Sequence, residues 1–133
     1  MSTGRSAHHA PGTPETFELV AYEDCYRDEG ARLHYEDDPF TGEVVSRDRQ
    51  GRMIGLASYV DGVPSGPQNQ WYPDGTKKKE GQTRYGLAVG EWRRWHPNGQ
   101  LAEHSVFTPQ GEYERLQKWD KEGNLTVDKR YTP

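Results

Sequence analysis

The sequence predicts an all-β fold, a single-layer antiparallel meander of tandem β-hairpins built on a 24-residue repeat. Three observations predict it. Gly51, Gly75, Gly99 and Gly123 follow one another at that step without insertion or deletion, which marks a repeat array. Trp71, Trp95 and Trp119 keep the same step, each four residues before one of these glycines, with Arg47 in that place in the first unit. Tyr72-Pro73-Asp74-Gly75-Thr76 and His96-Pro97-Asn98-Gly99-Gln100 share one turn design: Pro pre-sets the first turn position, Asp or Asn suits the second, and Gly takes the left-handed third.

In chain order, residues 1–16 lack the apolar run of a secretory signal and read as a flexible tail. The repeat domain is expected over 17–133. Within it, 17–42 form an atypical opening hairpin from two strands, Phe17 to Tyr22 and Gly30 to Tyr35, which caps one edge. Regular repeats follow over 43–133. Each contains a three-residue hairpin loop, a type I turn closed by a glycine bulge, with Arg49-Gln50-Gly51 and Lys121-Glu122-Gly123 as weaker copies.

That loop sets the register. Tyr72 pairs with Thr76 and His96 with Gln100, so Trp95 faces Leu101, Trp119 faces Leu125, Trp71 faces Lys77 and Arg47 faces Met53. A two-residue Asn-Gly loop would set Trp95 against Ala102 and break these rungs. Two residues further along, Arg93 is expected opposite Glu103, and Tyr59, Phe107 and Tyr131 are expected on the tryptophan side. Glycine-rich turns at 61–66 and 85–90 reverse the chain between hairpins, and a second glycine series, Gly42, Gly66 and Gly90, lapses at Glu114. The structural set is therefore Gly51, Gly75, Gly99, Gly123, Trp71, Trp95, Trp119, Leu101 and Leu125.

Composition agrees with an open sheet. A chain of 133 residues with 31 % hydrophobic residues, 29 % charged residues and a mean hydropathy of −1.13 is too polar for a thick closed core. Cys25 is the only cysteine, which rules out an intrachain disulfide and suits a reducing, cytoplasmic setting. No stretch reaches the roughly 18 apolar residues of a membrane-spanning helix. His8-His9 read as solvated residues of the tail, and no metal site or cofactor is expected.

The net charge of −4 conceals an asymmetry. Residues 15–48 hold eleven acidic against three basic side chains, a balance of −8, whereas 49–133 hold thirteen basic against ten acidic, a balance of +3. Such an acidic segment disfavours nucleic acid and favours a basic protein partner.

Pro39-Phe40-Thr41-Gly42 opening the array, followed by Tyr72-Pro73-Asp74-Gly75-Thr76 and Trp95-His96-Pro97-Asn98-Gly99-Gln100-Leu101, resembles the MORN-repeat variant proteins of bacteria. The likeness covers roughly residues 30–131. It departs from the pattern at Arg47, Lys77 and Glu114. The resemblance implies a non-catalytic binding module, an antitoxin or immunity component that neutralises a cognate toxin by direct contact. The alternative it implies is a scaffold that binds another protein or an anionic membrane surface.

Two surfaces are candidates for that contact. One is the acidic segment with Glu23, Asp24, Asp28, Glu29, Glu36, Asp37 and Asp38, which would meet a basic toxin face. The other is the half-exposed sheet face with Tyr72, Trp92, Arg94, His96 and Lys118, residue types that anchor interfaces. No catalytic motif is visible, so no enzyme is expected. Lys77-Lys78-Lys79 among aromatics could suggest a stacking surface for nucleic acid, but are read as guards against edge pairing. Exposed strand edges would allow two copies to pair.

Overall fold

A computed structural model describes residues 19–131, so the tail at 1–16 and the start of the first expected strand lie outside the described residues. The elements are β1 (Leu19–Ala21), a 3-10 turn (Tyr22–Asp24), β2 (Cys25–Arg27), β3 (Leu33–Tyr35), β4 (Asp38–Pro39), β5 (Gly42–Arg47), β6 (Met53–Val60), β7 (Val63–Trp71), β8 (Lys77–Arg84), β9 (Leu87–Trp95), β10 (Leu101–Phe107), β11 (Tyr113–Trp119) and β12 (Leu125–Arg130). Nine strands form one sheet in the order β1-β5-β6-β7-β8-β9-β10-β11-β12, and β2-β3-β4 form a second, small sheet. From β5 to β12 the sheet is an antiparallel meander of successive hairpins, the all-β architecture that the repeat predicts.

The three-residue loops form as the turn chemistry requires. At Tyr72 and His96 the first residue donates its amide to the fifth residue's carbonyl, and the glycine amide donates back to the first residue's carbonyl. The glycines have φ of 83°, 92°, 91° and 89° at Gly51, Gly75, Gly99 and Gly123, a region closed to most side chains. The expected rungs are present: Arg47 with Met53, Trp71 with Lys77, Trp95 with Leu101, and Trp119 with Leu125. The rungs are shallow. The three tryptophans are half-buried and Leu125 is exposed.

The side-chain oxygen that caps each loop sits at one of two places. Asp48 and Asp120, immediately before their loops in the place that Tyr72 and His96 hold in the middle units, bind the amides of Gln50 and Arg52 and of Glu122 and Asn124. In the middle units the second turn residue takes over: Asp74 binds the Thr76 amide and Asn98 the Gln100 amide. The first position is then released to reach the next repeat. Tyr72 donates its hydroxyl to the Trp95 carbonyl at 2.6 Å, His96 bonds the Trp119 carbonyl at 2.8 Å, and Asn98 donates to the Lys121 carbonyl. Tyr72→Phe removes one such link and is expected to lower stability by about 1 kcal/mol, read as a reduced urea midpoint with an unchanged slope.

Turn amides hold the Asp48, Asp74 and Asp120 carboxyls below their ordinary range. A depressed folded-state value gives stability that is complete above the unfolded-state value, near pH 4, and is lost as pH falls through the folded-state value. The melting temperature should therefore fall on acidification below about pH 4. A variant with Asp48, Asp74 and Asp120 all changed to Asn should fall less steeply; an equal slope would show that these caps do not carry the acid sensitivity.

Each hairpin carries a β-bulge one residue beyond its rung. Ile54, Lys78, Ala102 and Thr126 have no partner, and pairing resumes as Ser46 with Gly55, Gln70 with Lys79, Arg94 with Glu103, and Lys118 with Val127. An extra residue in one strand exchanges the faces of everything beyond it. Two expectations are corrected on that ground. Glu103 meets Arg94 at 3.4 Å and not Arg93. Tyr59 and Phe107 leave the rung face: Tyr59 pairs with Gly42 and joins the core with Val44, and Phe107 packs on Tyr113, which stacks on Tyr131.

The lapse at Glu114 has a structural reason. Asp61-Gly62 and Tyr85-Gly86 are two-residue turns with positive φ throughout, and each is followed by a wide bulge containing Gly66 or Gly90. In the next unit the loop is the three-residue Pro109-Gln110-Gly111, with Gly111 at φ 83°, and only Glu114 is left unpaired in the strand. One residue has moved from the bulge to the turn.

The opening segment is not a hairpin of the two expected strands. β1 pairs in parallel with β5, Val20 opposite Val44, while β3 pairs with β2 and β4. Leu33 of this small sheet and Phe40, which follows β4, are folded over one end of the array, where Val20, Val44 and Tyr59 complete the core. The cap is keyed to the array through Gly62, whose amide donates to the Phe40 carbonyl at 2.7 Å and whose carbonyl accepts from Leu33 at 2.9 Å. The buried apolar residues concentrate at this junction because only there do two layers of structure face each other.

Candidate protein-interaction surfaces

The acidic residues singled out in the sequence are gathered on the cap. Glu23 and Asp24 lie on the 3-10 turn, Asp28 and Glu29 on the β2–β3 loop, Glu36 and Asp37 between β3 and β4, and Asp38 on β4, all of them exposed. They are not equivalent. Asp28 accepts from the Gly30 and Arg32 amides and lies 2.8 Å from His34 Nε2, so it closes its loop. That His34 contact, with the two amides, holds the Asp28 carboxyl below its ordinary range. Asp28 is a structural cap. Among the described residues, Glu23, Asp24, Glu29, Asp37 and Asp38 have no ion-pair or hydrogen-bond partner.

Beyond the bulges, lateral pairing lines up side chains across the whole array. Ser46, Gly55, Gln70, Lys79, Arg94, Glu103, Lys118 and Val127 form one continuous row over β5 to β12. Two residues further along each strand, on the same face, Val44, Ala57 and Gln68 lead to Gly81, and Trp92, Ser105, Leu116 and Lys129 continue the line. This is the groove face. A cleft of about 330 Å³ runs along it from Tyr22 at the cap to Trp92, past Ala57, Gln68 and Lys79.

The sequence grouped Trp92, Arg94 and Lys118 on one face, and the structure places them there. Trp92 lies flat against the backbone of Gly81, where a methyl group would overlap the indole ring, and donates its indole N–H to the Gln82 carbonyl at 3.0 Å. Tyr72 and His96 are instead engaged between repeats and are spent on the scaffold. Lys77, Lys78 and Lys79 do not guard an edge, because β8 is an interior strand. Their ammonium groups lie over the rings of Trp71, Tyr72 and Trp92 at 5.2, 5.6 and 5.5 Å, which is cation–π geometry.

The two faces treat charge differently. On the rung side, Lys77 meets Glu80 at 3.2 Å, Glu80 lies 3.9 Å from Arg93, Arg93 pairs with Glu91, and Glu91 meets His104 at 3.0 Å. His104 and Arg93 hold the Glu91 carboxyl below its ordinary range. Arg115 and Asp128 pair at 3.2 Å on the same side. On the groove face Glu103 is the only carboxylate in the two rows, and it is held by Arg94 and by the buried Ser105 hydroxyl. Lys79, Lys118 and Lys129 have no carboxylate partner among the described residues.

Gly81, Lys79, Gln70 and Lys129 were missed by sequence reasoning as members of this face. The signal existed in the 24-residue columns 46-70-94-118 and 55-79-103-127, but it could be used only once the bulges were known. Among the described residues there is no cluster of His, Cys, Asp and Glu able to hold a metal ion, and no helix long and apolar enough to cross a membrane. No protein family, curated protein or solved structure matches the chain.

Proposed function

We propose that the chain is a MORN-type protein-binding module that serves as an antitoxin or immunity component, neutralising a cognate bacterial toxin in the cytoplasm by direct, non-catalytic contact. The observation that supports this most is the cap: exposed carboxylates without structural duties, held on a small sheet keyed firmly to a rigid array. Unpaired surface charge of one sign speeds the approach of an oppositely charged partner, and the MORN-like turn sequences supply the functional class.

The test is co-expression with the product of the gene immediately upstream, assayed as a toxin, followed by association kinetics on the purified pair. Wild-type chain should restore growth. Asp37→Lys with Asp38→Lys should slow association by about tenfold at low salt and flatten its salt dependence, with an unchanged melting temperature. An association rate that ignores the double reversal would remove the cap from the contact, and failure of the wild-type chain to restore growth would remove the antitoxin reading itself.

A further inference from the structure

We infer that the groove face is a second contact site and that it takes an acidic, extended segment of a protein partner across the row Lys79, Arg94 and Lys118. The inference rests on the reading of the chain as a protein-binding module and adds the chemistry of what is bound. Its basis is the contrast between faces. On the rung side Lys77, Glu80, Arg93, Glu91 and His104 pair among themselves and Arg115 pairs with Asp128, leaving Arg84 and Arg130 without a carboxylate among the described residues, whereas the groove face gathers Lys79, Arg94, Lys118 and Lys129 around the single carboxylate of Glu103. Like charges directly opposite each other, as Lys79 and Arg94 are, cost a sheet stability. Their complement is a carboxylate-bearing partner.

Geometry narrows the occupant. Lys79 on β8 and Arg94 on β9 are direct cross-strand neighbours, Glu103 follows on β10, where it is held by Arg94, and Lys118 follows on β11. At about 4.8 Å between strands the three cations span roughly 15 Å, the reach of four or five extended residues. Gln70 continues the row towards the cap and adds a side-chain amide suited to a peptide backbone, and Trp92 lies beside the row as a reporter of its occupancy.

A nucleic acid fits less well. The Trp92 ring already lies against Gly81 and under Lys79, so it offers no free stacking platform, and Glu23 and Asp24 directly follow Tyr22, which lines the same cleft. With the cap, the chain then presents an acidic and a basic contact site on one molecule. A partner must match both, which restricts partner choice more than either charge alone.

The experiment needs no toxin, so its outcome is separable from that of the antitoxin test. Isotope-labelled protein is titrated with an octapeptide of alternating Glu and Thr, its Lys-for-Glu counterpart, a deoxythymidine octamer, and vesicles of mixed phosphatidylserine and phosphatidylcholine. The acidic peptide should shift the Trp92 indole N–H and the Arg94 and Lys118 amides. Lys79→Glu with Lys118→Glu should weaken it by about tenfold, with the indole signals of Trp71, Trp95 and Trp119 in place as the measure of intact folding. No shift with the acidic peptide, an equal shift with the basic one, or tighter engagement of the row by the oligonucleotide or the vesicles would each overturn the inference.

Discussion

Gly62→Ala is expected to be the most damaging single-methyl change in the chain, costing about 3 kcal/mol or more. Two penalties combine. Gly62 has φ of 80°, where an L side chain costs about 1–2 kcal/mol. Its Cβ would also stand 2.7 Å from the Leu33 carbonyl oxygen and 3.0 Å from the Leu33 amide nitrogen, so backbone must move. That backbone is the junction itself, because Leu33 and Phe40 bond through Gly62 and each other. The melting temperature should drop by roughly 10 °C, and the Leu33 and Phe40 amides should lose hydrogen-exchange protection before those of β8 to β10. If Gly62→Ala melts like the wild type, or the central strands exchange first, the cap does not hang on this residue.

Gly81→Ala is the second large effect, and it should depend on Trp92. The added methyl would occupy the space of the indole ring, so either the ring leaves its seat or the strands separate, at about 2–3 kcal/mol. Trp92→Ala alone should cost a similar amount, since its ring is only half-buried. In the double variant the overlap disappears, and the loss should be smaller than the sum of the single losses by about 1–2 kcal/mol. Chemical denaturation of the four proteins measures this cycle. Strict additivity would mean that ring and glycine are energetically independent, contrary to their contact.

The turns explain how much of this architecture was readable. Pro73-Asp74-Gly75 and Pro97-Asn98-Gly99 dictate a local geometry, and local geometry fixes the first cross-strand pair; Trp95 opposite Leu101 followed from a few consecutive residues. The bulges did not follow, because Ile54, Lys78, Ala102 and Thr126 share no residue type and a bulge can accept any of them. Missing them by one residue exchanged the faces of Glu103, Tyr59 and Phe107.

The cap was opaque for another reason. Its strands are three residues or fewer, and their partners are chosen by burial of Leu33 and Phe40 at the end of the array, not by alternation within the segment. The candidate surfaces were half legible. Trp92, Arg94 and Lys118 lie on the unbulged strands of their hairpins, where parity survives, whereas Lys79 lies beyond a bulge and dropped out. Tyr72 and His96 looked available because the sequence does not show that Asp74 and Asn98 had relieved them of capping.

That exchange of capping duty gives the array a direction. Tyr72 reaches forward to Trp95 and His96 to Trp119, whereas Asp120 closes only its own loop and extends nothing. Every forward link is donated by one unit and received by its successor. The protein is thus written like two open clasps set between a closed one at Asp48 and a closed one at Asp120. A copy of the 72–95 module inserted in frame would bring its own clasp and its own eye, and the sheet could lengthen without redesign; removal of the final hairpin would leave His96 holding nothing.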